Sequence, residues 1–315
     1  MPKLHIMLAL AAVVVAIAAC HREDDADQPD AAQVAAAAVF AKAEQAWRDR
    51  RRERLLAPDG WTSLIGLHWI EPGAHYLGSD VDNGIRLAKG PAHIGMIELR
   101  KGGVVRFVPD ESAALTLDGQ PFLDEATLRT DGAQTGPSVI GFDGGKGTAT
   151  VIERAGRMAL RVKHADAPAR VDFAGLDYWP ADADWKIEGR FIAHPPGKTL
   201  GIANIIGSVD EVANPGVIEF SRDGRTFRIE ALDEGGDELF LVFADRTNGH
   251  GSYPAGRFLY TPMPDARGRV TLDFNQAYSP PCAFTDFATC PLPPQENRLD
   301  LAIEAGEKAY RKPHG

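Results

Sequence analysis

The chain has 315 residues, a formal net charge of −10, 32 glycines and 22 prolines. That length allows one or two domains with a sizeable core, and the acidic balance argues against a nucleic-acid partner and against a polybasic membrane footprint. Glycine and proline scattered between many short apolar runs favour a mainly β protein over a helical one.

Lys3 precedes the apolar run IMLALAAVVVAIAA, residues 6–19, which is too short for a comfortable membrane span and reads as the core of an export signal. Ile17-Ala18-Ala19-Cys20 then fits a lipobox: a branched apolar residue, two small residues that let the peptidase grip an extended chain, and a cysteine. The Cys20 thiol is the group that takes a diacylglyceryl, so residues 1–19 are read as a lipoprotein signal peptide and Cys20 as the lipidated first mature residue. Acyl chains anchor a protein without spanning the bilayer. His21 stands where an Asp would favour retention in the inner membrane, which points to the periplasmic leaflet of the outer membrane in a two-membrane cell. Residues 20–29 are acidic and polar, a solvated tether with nothing apolar to bury.

Residues 30–57 carry an alanine-rich helix without internal glycine or proline, with Asp30 in a capping position and arginines crowding the far end, where cations complement the helix dipole. The arginine run is either a solvated helix end or a surface for an anionic headgroup or polymer. Pro58-Asp59-Gly60 stops the helix, and residues 58–164 read as a β-sandwich-like domain. Its signals are the turns Glu71-Pro72-Gly73 and Asp82-Asn83-Gly84, and a hairpin over 148–163 turning at Arg154-Ala155-Gly156-Arg157. The order LGSDxDNxIxL from Leu77, His93-Ile94-Gly95, Val105-Arg106-Phe107-Val108 and Leu117-Asp118-Gly119-Gln120-Pro121 resembles a forkhead-associated β-sandwich. The phosphothreonine-reading residues of such domains are missing. Ser79 replaces the arginine after the glycine, and Gly90-Pro91-Ala92 lacks the serine–arginine pair. The resemblance therefore implies a fold and no activity.

Residues 165–315 form the C-terminal β domain. Strands are expected over 187–193, 200–206, 217–220, 227–231, 239–244, 256–261 and 270–274, curled into an antiparallel barrel or sheet. The continuous apolar run Leu239 to Ala244 predicts a strand buried on both faces. A closing helix is expected over 299–311, with Leu299, Ile303 and Tyr310 inward.

Candidate chemistry collects in this domain. Asp245, Thr247 and Tyr253 follow the buried strand and Arg257 opens the next; Asp273 and Asn275 share one strand face; Tyr278 and Asn297 bound a proline-rich loop. Asp273, Glu304 and Glu307 are candidate catalytic carboxylates, with Arg257 to hold an anionic substrate. The other residues, together with Arg161 and Arg170 near the domain boundary, are candidate ligand contacts, the two arginines meeting an anionic group lodged between the domains. With Cys20 lipidated, Cys282 and Cys290 are free to pair in an oxidising envelope, and C-x7-C is not the C-x-x-C of redox enzymes, so the pair reads as a structural disulfide. No H-x-H, H-E-x-x-H or paired C-x-x-C spacing occurs, so neither a metal nor a cofactor is expected. G-x-S-x-G and the phosphate-cradling P-loop are absent too.

LDFNxAYxPPCAF from Leu272, TCPLPPxENRL from Thr289 and IxAGEKxY from Ile303 resemble the bacterial and archaeal family named domain of unknown function 1684, as do Phe243, Asp245, Thr247, Gly249, Tyr253, Gly256 and Arg257. That family has no assigned activity, so the resemblance implies a shared C-terminal fold. The leading expectation is a lipid-anchored envelope protein that binds a small molecule, glycan or envelope partner beneath the loop 278–297. The alternatives are a hydrolase using the three carboxylates and a structural or protein-interaction module.

Overall fold

The computed structural model describes residues 31–312. The lipobox, Cys20, the acidic tether and the Asp30 cap lie outside that range. The chain divides into two compact units, Met1–Ala43 and Glu44–Gly315. Of the first, residues 31–43 belong to the helix Ala31–Leu56 and are exposed apart from the half-buried Phe40. All that follows concerns the second unit. No helix among the described residues is long and apolar enough to cross a membrane.

Strands between Leu64 and His164 form two facing sheets. One runs Leu64–Trp69, Arg157–His164, Gly147–Arg154, Val139–Phe142, Thr116–Leu117 and Gln120–Pro121; the other runs Ile85–Arg86, Gly73–Gly78, Gly95–Leu99, Val105–Pro109 and Ala126–Leu128. Alternation explains the packing. Leu160 and Val162 point into a core with Val151, Ile140, Phe107 and Leu77, while Arg161 and Lys163 fall on the opposite face. Two-residue hairpin turns of type I′ need positive φ at both central positions, and Ala155-Gly156, Asp118-Gly119 and Asp223-Gly224 supply it. Ser79, which stands where a phosphothreonine reader would carry arginine, donates its hydroxyl to the Gly90 carbonyl at 2.8 Å and ties two loops together.

The C-terminal sheet is antiparallel, in the order Arg257–Pro262, Glu238–Phe243, Arg225–Asp233, Gly216–Arg222, Lys186–Ala193, Arg269–Asp273. Its two outermost strands approach each other, and the Thr261 hydroxyl donates to the Thr271 carbonyl at 2.6 Å, so the sheet nearly closes into a barrel. Residues 239–243 are buried on both faces, as the apolar run requires. Ile218, Ile229, Leu241, Phe243, Leu272 and Phe274 fill the interior. A third cluster joins Leu64 of the sandwich to Phe240, Val242, Phe258 and Tyr278, so the sandwich and the near-barrel share apolar packing.

Two expectations fail. Thr199–Ala203, which overlaps the strand expected at 200–206, stands outside the six-stranded sheet and pairs with Val209–Ala213 in a separate two-stranded ribbon. Residues 299–311 form no helix. From Leu299 to Ala305 burial alternates strictly: Leu299, Leu301, Ile303 and Ala305 are buried, while Asp300, Ala302 and Glu304 are exposed. The segment lies extended because other elements hold its backbone. Leu299 N–H donates to Ala244, Arg246 N–H to Leu301, and Glu307 N–H to Ala277, at 2.8–2.9 Å. Gly306 then turns at φ +80°, where a Cβ would strike the Ala277 carbonyl.

Candidate functional site

Most of the polar residues singled out in the C-terminal domain are internal ties. Asp245 and Arg257 have fully buried side chains joined by a 2.5 Å ion pair. Arg257 also donates to the Ile303 carbonyl at 2.9 Å, and Asp245 accepts the Thr247 N–H at 2.7 Å and the Ile303 N–H at 3.3 Å. Burial pulls the Arg257 guanidinium below its ordinary range and the Asp245 charge opposes that pull. The pair thus pins the C-terminal tail to the strand ends. Asn297 acts as a piece of backbone. Its amide accepts from Glu230 N–H at 2.6 Å and donates to the carbonyls of Glu230 at 2.9 Å and Val242 at 3.0 Å. It bridges two strands that pair directly only at Leu232–Phe240 and Asp233–Leu239. Asn275 does the same for Asp182, accepting at 2.9 Å and donating at 2.8 Å.

The three carboxylates stand apart in role. Glu304 is exposed. Glu307 is sealed, with Arg51 Nε donating to it at 2.7 Å and Ser279 N–H at 2.8 Å. Asp273 caps the turn 274–276 and lies 3.5 Å from the Lys186 amine. Arg170 donates to the carbonyls of Leu56 and Ala165 at 2.8 and 2.7 Å, securing the end of the long helix. Tyr253 packs with Leu55 and Phe284. None of these lines the cleft described next.

Arg161 and Tyr278 do. Between the outer face of the sandwich sheet and the C-terminal sheet lies a cleft of about 390 Å³. Arg154, Arg161 and Lys163 line its cationic side, Trp61, Phe240, Phe258, Tyr260 and Tyr278 its apolar side, and Ala288 to Pro291 of the proline-rich loop its lip. The Cys282–Cys290 disulfide braces that lip, with Cα atoms 6.3 Å apart. Cross-strand register explains the cations: Arg161 sits opposite Thr150 and Lys163 opposite Thr148, so both project away from the sandwich core. Arg154, at the strand end on the same face, reaches the same point. The Thr289 hydroxyl accepts from Arg154 Nε and from Arg161 Nη2, each at 3.3 Å.

The charges here do not balance. Arg154 pairs with Asp131 at 2.7 Å. Arg161 has no carboxylate within ion-pair distance among the described residues, and its buried Nε has no hydrogen-bond partner. Lys163 donates to the Asp59 carbonyl at 2.5 Å. Glu234, the acid of this cleft, accepts from the Tyr260 hydroxyl at 2.6 Å. Burial, reinforced by the Arg154 charge, pulls Arg161 below its ordinary range. Burial also lowers Lys163, with Arg161 adding to the effect and Asp59 opposing it. Desolvation pushes the Tyr260 and Tyr278 phenols up, so both stay neutral. The arrangement can hold an anion against Arg161 and a flat apolar group against the aromatic wall. Among the described residues no group of three or more histidines, cysteines or carboxylates is placed to hold a metal ion.

Sequence reasoning placed Arg161 and the loop but missed Arg154, Lys163, Trp61 and Tyr260 as companions. The period-two alternation of 157–164 carried half the signal, since it set Arg161 and Lys163 on one face. That a second sheet would cover that face is a tertiary fact.

Residues 171–308 match the model of a family described as protein of unknown function (DUF1684). No curated protein matches the sequence. Among solved structures, the solution NMR structure of an uncharacterized protein from Haloarcula marismortui is similar at 34% identity, over 44% of this chain and 78% of that one, with a TM-score of 0.37. With its Asp245–Arg257 tie, asparagine bridges and disulfide loop all inside the matched range, the chain belongs to the DUF1684 family.

Proposed function

We propose that this protein is a lipid-anchored cell-envelope protein that binds a small organic anion in the cleft between its sandwich and its C-terminal sheet. The observation that carries the reading is Arg161, a half-buried cation with an orphaned Nε, no carboxylate partner among the described residues and two further cations beside it. An uncompensated charge withdrawn from water is costly, and an anion delivering charge-assisted hydrogen bonds offsets that penalty by ~1.5–3 kcal/mol per bond. The aromatic wall supplies the apolar burial that small-molecule sites share. The lipobox at 17–20 supports the anchor, and His21 after it supports the outer-membrane address.

Calorimetric titration of the purified chain with benzoate, and separately with inorganic phosphate, tests the binding. The expected result is saturable binding of benzoate, weakened ~10- to 100-fold by Arg161→Gln, the loss expected for one charge-assisted hydrogen bond. Heats that are absent, or unchanged by the substitution, contradict the reading. The anchor is tested apart from the ligand: Cys20→Ser should move the protein from the membrane fraction to the soluble fraction, and an unchanged membrane fraction would refute it.

A further inference from the structure

Over Lys163 the cleft meets a second cavity of about 680 Å³, whose lining repeats Trp61, Lys163, Tyr260 and Tyr278 and adds Arg50, Arg54, Asp59 and Glu238. Four residues shared by two cavities make them lobes of one groove, with Lys163 and the three rings at the waist. Trp61 and Tyr278 have centroids 6.3 Å apart, and Tyr260 and Tyr278 are near parallel at 18° with centroids 6.4 Å apart. The far rim carries the exposed Arg50 and Arg54 at i, i+4 on the helix, neither with a carboxylate partner among the described residues. Arg51 between them is already satisfied by Glu307 and stacks on the Trp61 and Tyr278 rings, which fixes the waist from behind. Asp59 and Glu238 are the acids of this lobe, so its rim is less positive than the inner end.

Resting on the reading that Arg161 faces an anion, we propose that the groove takes an elongated dianion. One anionic group meets Arg154, Arg161 and Lys163; a flat ring lies along Trp61, Tyr260 and Tyr278; a second anionic group meets Arg50 and Arg54. Two cationic ends separated by an aromatic waist select for molecules with charge at both ends and a planar middle. A compact anion leaves the waist uncovered, and an apolar molecule leaves both ends unpaired.

Biphenyl-4-carboxylate and biphenyl-4,4′-dicarboxylate differ only in the second anion, and titrating both into the purified chain isolates the outer lobe. The dianion should bind at least ~10-fold more tightly, one charge-assisted contact at the rim being worth about that factor. Arg50→Gln with Arg54→Gln should erase the difference between the two probes, and Arg161→Gln should weaken the dianion. Equal affinities for the two probes, or a preference that survives the Arg50/Arg54 change, overturn the elongated-dianion assignment and leave the simpler anion site standing. Binding of benzoate or phosphate but of neither biphenyl also overturns it. If no anion binds at all, the underlying reading falls with it.

Discussion

Arg257 and Arg161 are both withdrawn from solvent, yet only Arg257 meets a carboxylate. Arg257 is enclosed with Asp245, both side chains fully buried, and its two terminal nitrogens also donate to carbonyls of the C-terminal tail, although its Nε, like that of Arg161, has no partner. Arg161 shares one threonine hydroxyl with Arg154 and otherwise faces a cleft. The two environments follow opposite electrostatic logic. Where charge is balanced inside the chain, the group serves to fix one chain path, and breaking it leaves an unpaired charge in the interior. Where charge is left unbalanced at a cleft with aromatic walls, we propose that the balancing group comes from outside.

This contrast yields predictions of graded size. Arg257→Met strands the Asp245 carboxylate and should destabilise the protein by ~3–5 kcal/mol, while adding Asp245→Leu should recover a good part of that loss. Denaturant titration of the single and double variants measures both, and a single variant as stable as the parent would dissolve the contrast. Cys282→Ser opens a short loop, so the expected loss is smaller, about 2 kcal/mol, together with weaker benzoate binding because the lip of the cleft is no longer braced. Unchanged binding in a variant that melts lower would detach the loop from the site.

Arg161→Gln should leave stability within ~1 kcal/mol of the parent or raise it slightly, since it removes a partly buried cation that no carboxylate pairs with directly, Asp131 acting on it only at longer range. A loss comparable to that of Arg257→Met would make Arg161 a structural residue. Lys163 gives the pH signature. Its folded-state pKa lies below the ordinary ~10.4, so between the two values the unfolded chain holds more protons. In that window Lys163 contributes stability that rises with pH, whereas anion affinity falls as the amine discharges. Benzoate affinity measured across the alkaline range should therefore decline before pH ~10 is reached. Smallest of all is Glu44. Burial raises its carboxyl, and Oε2 has no hydrogen-bond partner. A raised acid is disfavoured as the anion, so Glu44→Gln should raise the melting temperature slightly near neutral pH, with the gain shrinking below pH ~4 where both states are protonated.

Much of the fold was legible because side-chain period and turn chemistry are local. Leu239 to Phe243 reads as a doubly buried strand, Ala155-Gly156 and Asp223-Gly224 as hairpin turns, and the observed strands agree. The closing helix was misread for a local reason as well. LDLAIEA alternates with period two and Gly306 interrupts any helix beyond it, and the alternation is what the structure obeys. The site was less legible. Asp245, Asn275, Asn297 and Glu307 carry the chemistry expected of ligand contacts, and nothing local distinguishes an asparagine that completes a sheet from one that binds a ligand. Only the partners separate them: Glu230 and Val242 backbone for Asn297, Arg51 for Glu307. Conversely, Arg154 and Lys163 look like ordinary hairpin cations until another sheet covers their face.

The most direct measurement is the Lys163 titration itself, followed by NMR on protein labelled at lysine 13Cε, with Lys163→Gln used to assign the resonance. The expected midpoint lies below the ordinary ~10.4 in the free protein and moves upward when benzoate fills the cleft and its charge stabilises the ammonium. A midpoint that stays put at saturating benzoate would mean that the cations of this cleft do not meet an anion.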